Sequence, residues 1–408
     1  MRIAFLVQRY GLDVNGGAEL HCRLVAERLA KDHEVEVLSS CALDYISWQD
    51  HYPPGEERMN NVLLRRFRVK QPRDERRFGL ISNEVFSGPT SLERQRLWLR
   101  EQGPYVRDLM QYLRANIDRY DILIPYSFRY YHSHECVRLF GHKSILVPTA
   151  EPDPAVELAV FNSTFREPRV ILYNTPESKN LIENAQHNYS VPSIVTGVGI
   201  EERNSGDVRS VLAKYSLLSQ PYIIYIGRID KNKGCDRLFD YFTSFISLEH
   251  VPKPYLVLLG SNVIDIPDHP MIRHLGFVSA EDKLALLKGS LLLVMPSHLE
   301  SLSIVLLEAW ACNKPVLANG ESDVLRGQCT RANGGLCYRS KAEFIVCLNE
   351  LLTNDFLRSR LGSLGNKYFR INYNWGVITQ KYERAFEIVL RGEGGRAAGS
   401  VKGRAQWP

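Results

Sequence analysis

No stretch of this 408-residue chain approaches the ~20 unbroken apolar residues that a membrane span needs. The apolar share itself, 44%, is ordinary for a globular protein. Eight cysteines, Cys22, Cys41, Cys136, Cys235, Cys312, Cys329, Cys337 and Cys347, include no Cys-x-x-Cys pair and no metal-ligand spacing with histidine. Neither a zinc module nor a redox dithiol is therefore written into the chain, and reduced, packed thiols are expected. Charge of one sign is also scarce: the net +5 is too mild to argue for nucleic acid by itself. The opening, "MRIAFLVQRYG", is too short an apolar region for a signal peptide and lacks a small-residue cleavage site, so it reads as the first strand of a mature cytoplasmic protein. No internal repeat occurs at the ~20 to 50 residue periods of solenoids.

What the chain does contain is alternation. Short β-rich runs, "IAFLV", "VEVLSS", "VLLRRF", "DILIPYS", "SILVPT" and "RVILYN", are separated by segments of helical periodicity, as in parallel α/β layers. The pattern loses its periodicity near 187–221, where turn formers gather, and restarts with "YIIYIG", "YLVLLG", "LLLVMPS" and "PVLANG". Two doubly wound domains facing each other across a cleft are expected, at 1–187 and 188–374. A last helix at 375–391 places Trp375, Ile378, Tyr382, Phe386 and Val389 on one face, which must bury against something. The remainder, 392–408, is rich in Gly, Ala and charge and is expected to be a disordered tail.

Three constellations carry candidate chemistry. In "QRYGLDVNGGAELHC" the first strand gives way to a loop that closes on Gly16 and Gly17 before a helix. Adjacent glycines let backbone approach a ligand, and a helix N-terminus offers unpaired N–H groups; a simple tight turn is the competing reading. The pair lacks the G-x-G-x-x-G spacing of a dinucleotide fingerprint. In "YIGRIDKNKGCDRL", Arg228 and Lys233 lie between a strand and a helix and between Gly227 and Gly234. A forked guanidinium and a point-charge ammonium complement a diphosphate differently, and ligands of open α/β sheets gather beyond the strands' carboxyl ends. A solvated basic loop is the alternative, and the spacing is not that of a Walker loop.

The third constellation is "PSHLESLSIVLLEAWACNKPVLA", with Glu300 and Glu308 eight residues apart. A helix starting just after Glu300 would put both carboxylates on one side, roughly 12 Å apart. One could accept bonds from sugar hydroxyls and the other hold a ribose, with Ser301, Leu302 and Ser303 supplying N–H groups. A helix cap and a paired surface acid explain the same two residues equally simply.

Taken in order, the GG loop, "GRIDKNKG", and E-x7-E followed by "KPVLA" resemble the family 4 retaining glycosyltransferases, glycosyl transferases group 1, of the GT-B fold, over nearly the whole chain. The resemblance implies two Rossmann-like domains, an acceptor-binding one and a donor-binding one, with a C-terminal helix crossing back to the first. It implies that Arg228 and Lys233 bind the donor diphosphate, that Glu308 holds the donor ribose, that Glu300 lies near the transferred sugar, and that Gly17 approaches the donor phosphate. Catalytic roles are thus expected for Glu300, Arg228 and Lys233. Many members read E-G-F-G where this chain has Glu300, Ser301, Leu302, Ser303. Members often place a histidine beside the reacting sugar after the fourth strand; here His132 and His134 come a few residues late, and Glu151 and Asp153 follow the fifth strand as further acceptor-side candidates.

No Asp-x-Asp occurs, so no metal is expected to bridge the diphosphate, no cofactor is expected, and Arg228 with Lys233 would do the neutralising. The partners so implied are a nucleotide diphosphate sugar and a glycan or lipid-linked acceptor, with no nucleic acid. The arginine-rich run 58–77 reads either as a contact for anionic lipid at the cytoplasmic face of a membrane or as a solvated surface. Two other functions stay open: a nucleotide-sugar epimerase of the same shape, which would need no acceptor pocket, and a non-catalytic nucleotide- or sugar-binding protein.

Overall fold

The computed structural model describes residues 1–201 and 206–394. The expected tail lies outside the described residues from 395 onward. The described residues divide into two compact units: Met1–Tyr173, Lys179–Thr196 and the last helix from Thr379 form one, and Asn174–Ser178 with the described residues of Gly197–Ile378 form the other.

In the first unit, β1 (Arg2–Val7), β2 (Glu34–Ser40), β3 (Gly55–Met59), β4 (Val62–Phe67) and β5 (Ile122–Pro125) form a sheet in the order β3-β4-β2-β1-β5. A three-stranded sheet of β6 (Ile145–Leu146), β7 (Val170–Tyr173) and β8 (Ser193–Val195) continues it through parallel bridges from Leu123 to Ser144 and from Tyr126 to Val147. Every pairing is parallel except that of β3 on β4. β1 and β5 are apolar throughout their buried lengths because both faces are covered. The β3 edge, "GEERM", is almost wholly exposed and charged, which keeps that edge from pairing with another chain.

The second unit carries β9 (Tyr222–Ile226), β10 (Tyr255–Leu259), β11 (Ile272–Gly276), β12 (Leu293–Met295), β13 (Val316–Asn319) and β14 (Gly335–Tyr338), all parallel, in the order β11-β10-β9-β12-β13-β14. The chain winds outward from β9 in one direction and from β12 in the other. That reversal makes the β9/β12 junction the topological switch point, where ligands of such sheets bind. Leu238, Phe242 and Phe245 of the helix Cys235–Ser247 pack with Ile223, Leu258 and Val294 to close one face.

The crossover between units comes at Thr196, later than the expected 187, because β8 pairs with β7 and Thr196 donates its N–H to Tyr173 O at 2.8 Å. The last helix, Trp375–Gly394, runs beyond the expected 391 and is shared between the units. Its predicted face is buried at Ile378, Tyr382, Phe386 and Val389. Within the first unit the Tyr382 and Tyr126 hydroxyls are 3.0 Å apart and Glu383 meets His33 at 2.8 Å. Trp375 packs so closely on Gly199 in the second unit that a Cβ there would come within 2.4 Å of the indole. Among the described residues no helix is long and apolar enough to cross a membrane, and the eight cysteines are free thiols.

Candidate functional site

The loop after β9 is built around Asp230, which the sequence did not single out. Its carboxylate accepts the Lys233 backbone N–H at 2.7 Å and pairs with the Arg228 guanidinium, an Asx-type brace of the kind Asp favours in turns. From the strand below, the Tyr225 hydroxyl donates to Arg228 O at 2.7 Å. Gly234 closes the loop at φ 72°, and a Cβ there would lie 2.4 Å from Pro296 O. Only glycine lets the β9 and β12 loops approach this closely.

That approach joins two of the predicted residues: Lys233 Nζ donates to Glu300 Oε1 at 2.7 Å across the switch point. Glu300 is buried, Arg228 and Lys233 partly so. Around them His298 Nδ1 lies 3.0 Å from Glu321, which also pairs with Arg237 at 2.8 Å.

The helix expected just after Glu300 begins instead at Ile304 and runs to Ala311. Glu300 through Ser303 form a loop, so the 12 Å helical spacing does not apply, and the helix-start N–H groups belong to Ile304 onward rather than to Ser301 and Leu302. The reason is local: Ser303 has φ 64°, a left-handed conformation that breaks the helical path. A glycine would adopt it at no cost, whereas serine bears ~1 to 2 kcal/mol of strain. Leu302 is buried, and its carbonyl accepts from Gln328. Glu308 does sit on the helix, held by Lys283 Nζ at 2.6 Å, with its Oε2 buried and lacking a hydrogen-bond partner among the described residues. Each acid is thus gripped by its own lysine, and Lys283 was not foreseen.

In the first unit the loop after β1 is cinched by a buried ion pair, Arg9 to Glu19 at 2.6 Å, while Arg9 also donates to Asn15 O at 3.1 Å. Gly16 packs on that pair: an added Cβ would fall 2.1 Å from Glu19 Oε2, whereas at Gly17, the first residue of the helix Gly17–Leu29, it would meet nothing within 4 Å. The two glycines therefore separate structure from function. Gly16→Ala is expected to destabilise by ~1 to 3 kcal/mol through overpacking. Gly17→Ala should leave the melting temperature unchanged or raised, and should weaken donor binding if a phosphate approaches that backbone. Paired melting and donor titrations check this; equal donor affinity in Gly17→Ala and wild type would remove Gly17 from the site.

His132 and His134 lie on the helix Tyr131–Phe140 and are buried. His132 stacks on Tyr130 at 6.0 Å, and His134 Nδ1 bonds Thr164 Oγ1 at 2.8 Å. Both imidazoles are packed inside the unit rather than presented at its surface. Burial pushes their pKa values down from 6.5, to about 3 and about 4. Asp153 caps a short turn through Ala155 N at 2.8 Å and pairs with Arg129; Glu151 is half-buried. Arg129 thus answers both Asp153 and the charge of Glu151, while the two imidazoles are engaged by Tyr130 and Thr164.

The histidines make stability pH-dependent. The unfolded chain takes up their protons below about 6.5 while the folded chain does not, so stability is fully present above that value and falls as pH drops towards 4. The slope approaches ~2.7 kcal/mol per pH unit for two such groups. Urea midpoints measured down the pH scale should fall accordingly and fall less steeply in His134→Asn; a flat profile would contradict the burial.

Much of the arginine run is consumed internally. Arg65 pairs with Glu36 at 2.7 Å and with Glu56, and Arg66 pairs with Glu57 at 2.6 Å across the β3–β4 ribbon. These cations stabilise an edge rather than face a partner.

Residues 213–368 match the family described as Glycosyl transferases group 1. An uncharacterized glycosyltransferase of Methanocaldococcus jannaschii is 22% identical over 96% of this chain and 99% of its own. The capsular polysaccharide biosynthesis glycosyltransferase CapM of Staphylococcus aureus is 26% identical over 45% of this chain and 50% of its own. Among solved structures, a sucrose-phosphate synthase from Thermosynechococcus elongatus aligns with TM-score 0.69 at 16% identity over 96% of this chain and 99% of its own. Anabaena HepE in complex with UDP-glucose aligns with TM-score 0.67 at 14% identity over 95% and 99%. The fold is GT-B, and the group 1 match with these relatives supports the glycosyltransferase superfamily.

Proposed function

We propose that the chain is a retaining, metal-independent hexosyltransferase of family 4 that moves a sugar from a nucleotide diphosphate sugar to a glycan or lipid-linked acceptor in cell-surface polysaccharide synthesis, on the cytoplasmic side of a membrane. The observation that carries this reading is the meeting of Lys233 and Glu300 at the β9/β12 switch point, 2.7 Å apart, with Arg228 on the same loop. Departure of a diphosphate is the costly event in such a transfer, and fixed cations aimed at the developing charge lower its barrier.

In this reading Arg228 offers a fork to the phosphate oxygens and Lys233 a mobile point charge that exchanges Glu300 for phosphate as charge builds. Glu300 then turns to the hydroxyls of the transferred sugar, and the unpartnered Oε2 of Glu308 accepts from the ribose. Backbone beside Gly276, at φ 66°, receives the base near exposed Phe277. No carboxylate is assigned as a nucleophile; attack by the acceptor on the face the diphosphate leaves retains configuration without one. The likeness to the Staphylococcus aureus capsular polysaccharide biosynthesis glycosyltransferase and to the Anabaena protein in complex with UDP-glucose supports a polysaccharide product and a nucleotide-sugar donor.

A thermal-shift panel of UDP, GDP, ADP, dTDP and NAD tests the reading. A ligand at a hundred times its Kd stabilises by ~2.7 kcal/mol. A shift with one nucleoside diphosphate, lost in Arg228→Ala with Lys233→Ala, is the expected outcome. No shift with any of them in folded protein would overturn the donor site and favour a binding protein of another kind. Product analysis without acceptor separates transferase from epimerase, since only the latter would convert the sugar.

A further inference from the structure

The first unit contains a cavity of about 230 Å³ between the entry to the helix Glu75–Phe86 and the end of the helix Leu92–Gln102, lined in part by Trp48, Arg73, Arg77, Arg100, Glu101 and Tyr105. It lies at the same edge of the sheet as the GG loop, because β1, β2 and β4 are parallel and the segments that follow them leave at their carboxyl ends. The loop after β2 links the two places. Arg9 donates to Leu43 O at 2.7 Å, and Arg73 donates to Tyr45 O at 3.1 Å.

The charges in this cavity do not balance. Arg77 pairs with Glu101 at 2.9 Å, but Arg100 has no ion-pair partner among the described residues. Arg73 donates only to carbonyl oxygens, those of Gln102 and Tyr45, and lies over the rings of Phe78 at 4.6 Å and Trp48 at 5.3 Å. Burial brings its pKa down to about 10. A guanidinium taken partly out of water with carbonyls as its hydrogen-bond partners is costly, and an anion beside it would offset that cost. Among the residues that line the cavity, three arginines stand against one glutamate, with Asp44 and Glu75 reaching Arg73 by charge from outside the lining; a phosphate monoester carries roughly −2.

We infer that this cavity seats a phosphate group carried by the acceptor, with Arg77 and Arg100 forking its oxygens and Arg73 supplying fixed charge beneath. The acceptor role rests on the transferase reading; the phosphate site does not. The phosphate belongs to a soluble phosphosaccharide or to a lipid. Tyr45 and Ile46, on the loop that Arg73 holds, and Leu80, one turn along from Arg77, are exposed apolar residues suited to the second source.

The test uses the full chain carrying Arg228→Ala and Lys233→Ala, so that the donor-site cations are silent. Inorganic phosphate is titrated calorimetrically at constant ionic strength, and sedimentation is measured with phosphatidylcholine vesicles with and without phosphatidic acid. Saturable phosphate binding is expected, weakened about tenfold or more by adding Arg77→Gln and Arg100→Gln, the loss expected of two charge-assisted forks. Both side chains lie at the surface, so an unchanged melting temperature certifies the fold of the variant. Sedimentation that needs both phosphatidic acid and the two arginines assigns the phosphate to a lipid; phosphate binding without sedimentation assigns it to a soluble acceptor. Absence of saturable phosphate binding together with absence of arginine-dependent sedimentation overturns the site. Phosphate binding in a protein whose wild type shows no nucleoside diphosphate shift would keep the site and remove its acceptor role.

Discussion

Replacing Lys233 by alanine is expected to lower kcat by ~10²- to 10³-fold, the usual loss when one preorganised donor to a developing anion is removed. Donor KM should rise by much less. The ammonium sits 2.7 Å from Glu300, so it already has a carboxylate partner and gains little from phosphate before charge develops. As the diphosphate departs, charge accumulates on its oxygens and the lysine's attraction grows, which is the signature of an interaction made mainly in the transition state.

Two controls keep the result interpretable. Lys233 is about a third exposed but Glu300 is buried, so removing the lysine destabilises by leaving a buried carboxylate unpaired, and kcat is compared at a temperature where melting shows the variant fully folded. Because the variant also strands the Glu300 carboxylate, the Lys233→Ala, Glu300→Ala double variant is the proper comparison for their coupling. A rise in KM with kcat intact would instead make Lys233 a ground-state binder and remove it from catalysis.

The second large effect is expected at Glu308, with the opposite kinetic signature. Its Oε1 is held by Lys283 at 2.6 Å while Oε2 is buried and unpartnered among the described residues. A buried carboxylate oxygen without a hydrogen bond is costly, and a ribose hydroxyl donating to it would recover ~1.5 to 3 kcal/mol. Glu308→Ala should therefore raise donor KM by ~10- to 100-fold, at about 1.4 kcal/mol per factor of ten. The ribose is remote from the bond that breaks and is bound equally before and during reaction, so kcat should stay within a few-fold. Glu308→Gln, which keeps the acceptor oxygen but not the charge, should fall between. A collapse of kcat at unchanged KM would contradict the assignment and place Glu308 nearer the reacting centre.

These two residues also mark how far the sequence could be read. The strands of both sheets that pass through the core were legible because strands covered on both faces must be apolar along their whole length. The ones that escaped, β3, β8, β11 and β14, are edge or short strands: "GEERM" and "IRHLG" carry too much charge for that pattern, and "SIV" is too short to show one. Their pairing comes from a neighbour's backbone and from ion pairs such as Arg66 to Glu57, not from their own periodicity.

Likewise, Arg228 and Lys233 were marked by residue type and position between glycines, and Glu300 and Glu308 by their eight-residue spacing. Their actual partners, Asp230 and Lys283, were not, although the Asp230 turn chemistry was there to be read. The helix start misplaced at Ser301 shows the same limit: nothing in "ESLSIVLLE" announces that Ser303 takes a left-handed conformation.

By itself, then, the sequence determined the α/β class, the two windings, the cation-rich loop after β9 and the buried face of the last helix, because each depends on residues adjacent in the chain and on their local periodicity. Only the tertiary structure decided that Lys233 meets Glu300 across 67 positions, that Arg65 and Arg66 are spent on an edge ribbon, that His132 and His134 are sealed inside, and that Arg73 donates its hydrogen bonds to carbonyl oxygens. Those outcomes turn on strand order at a switch point and on which side chains share a desolvated space. Neither is a property of any local stretch of chain.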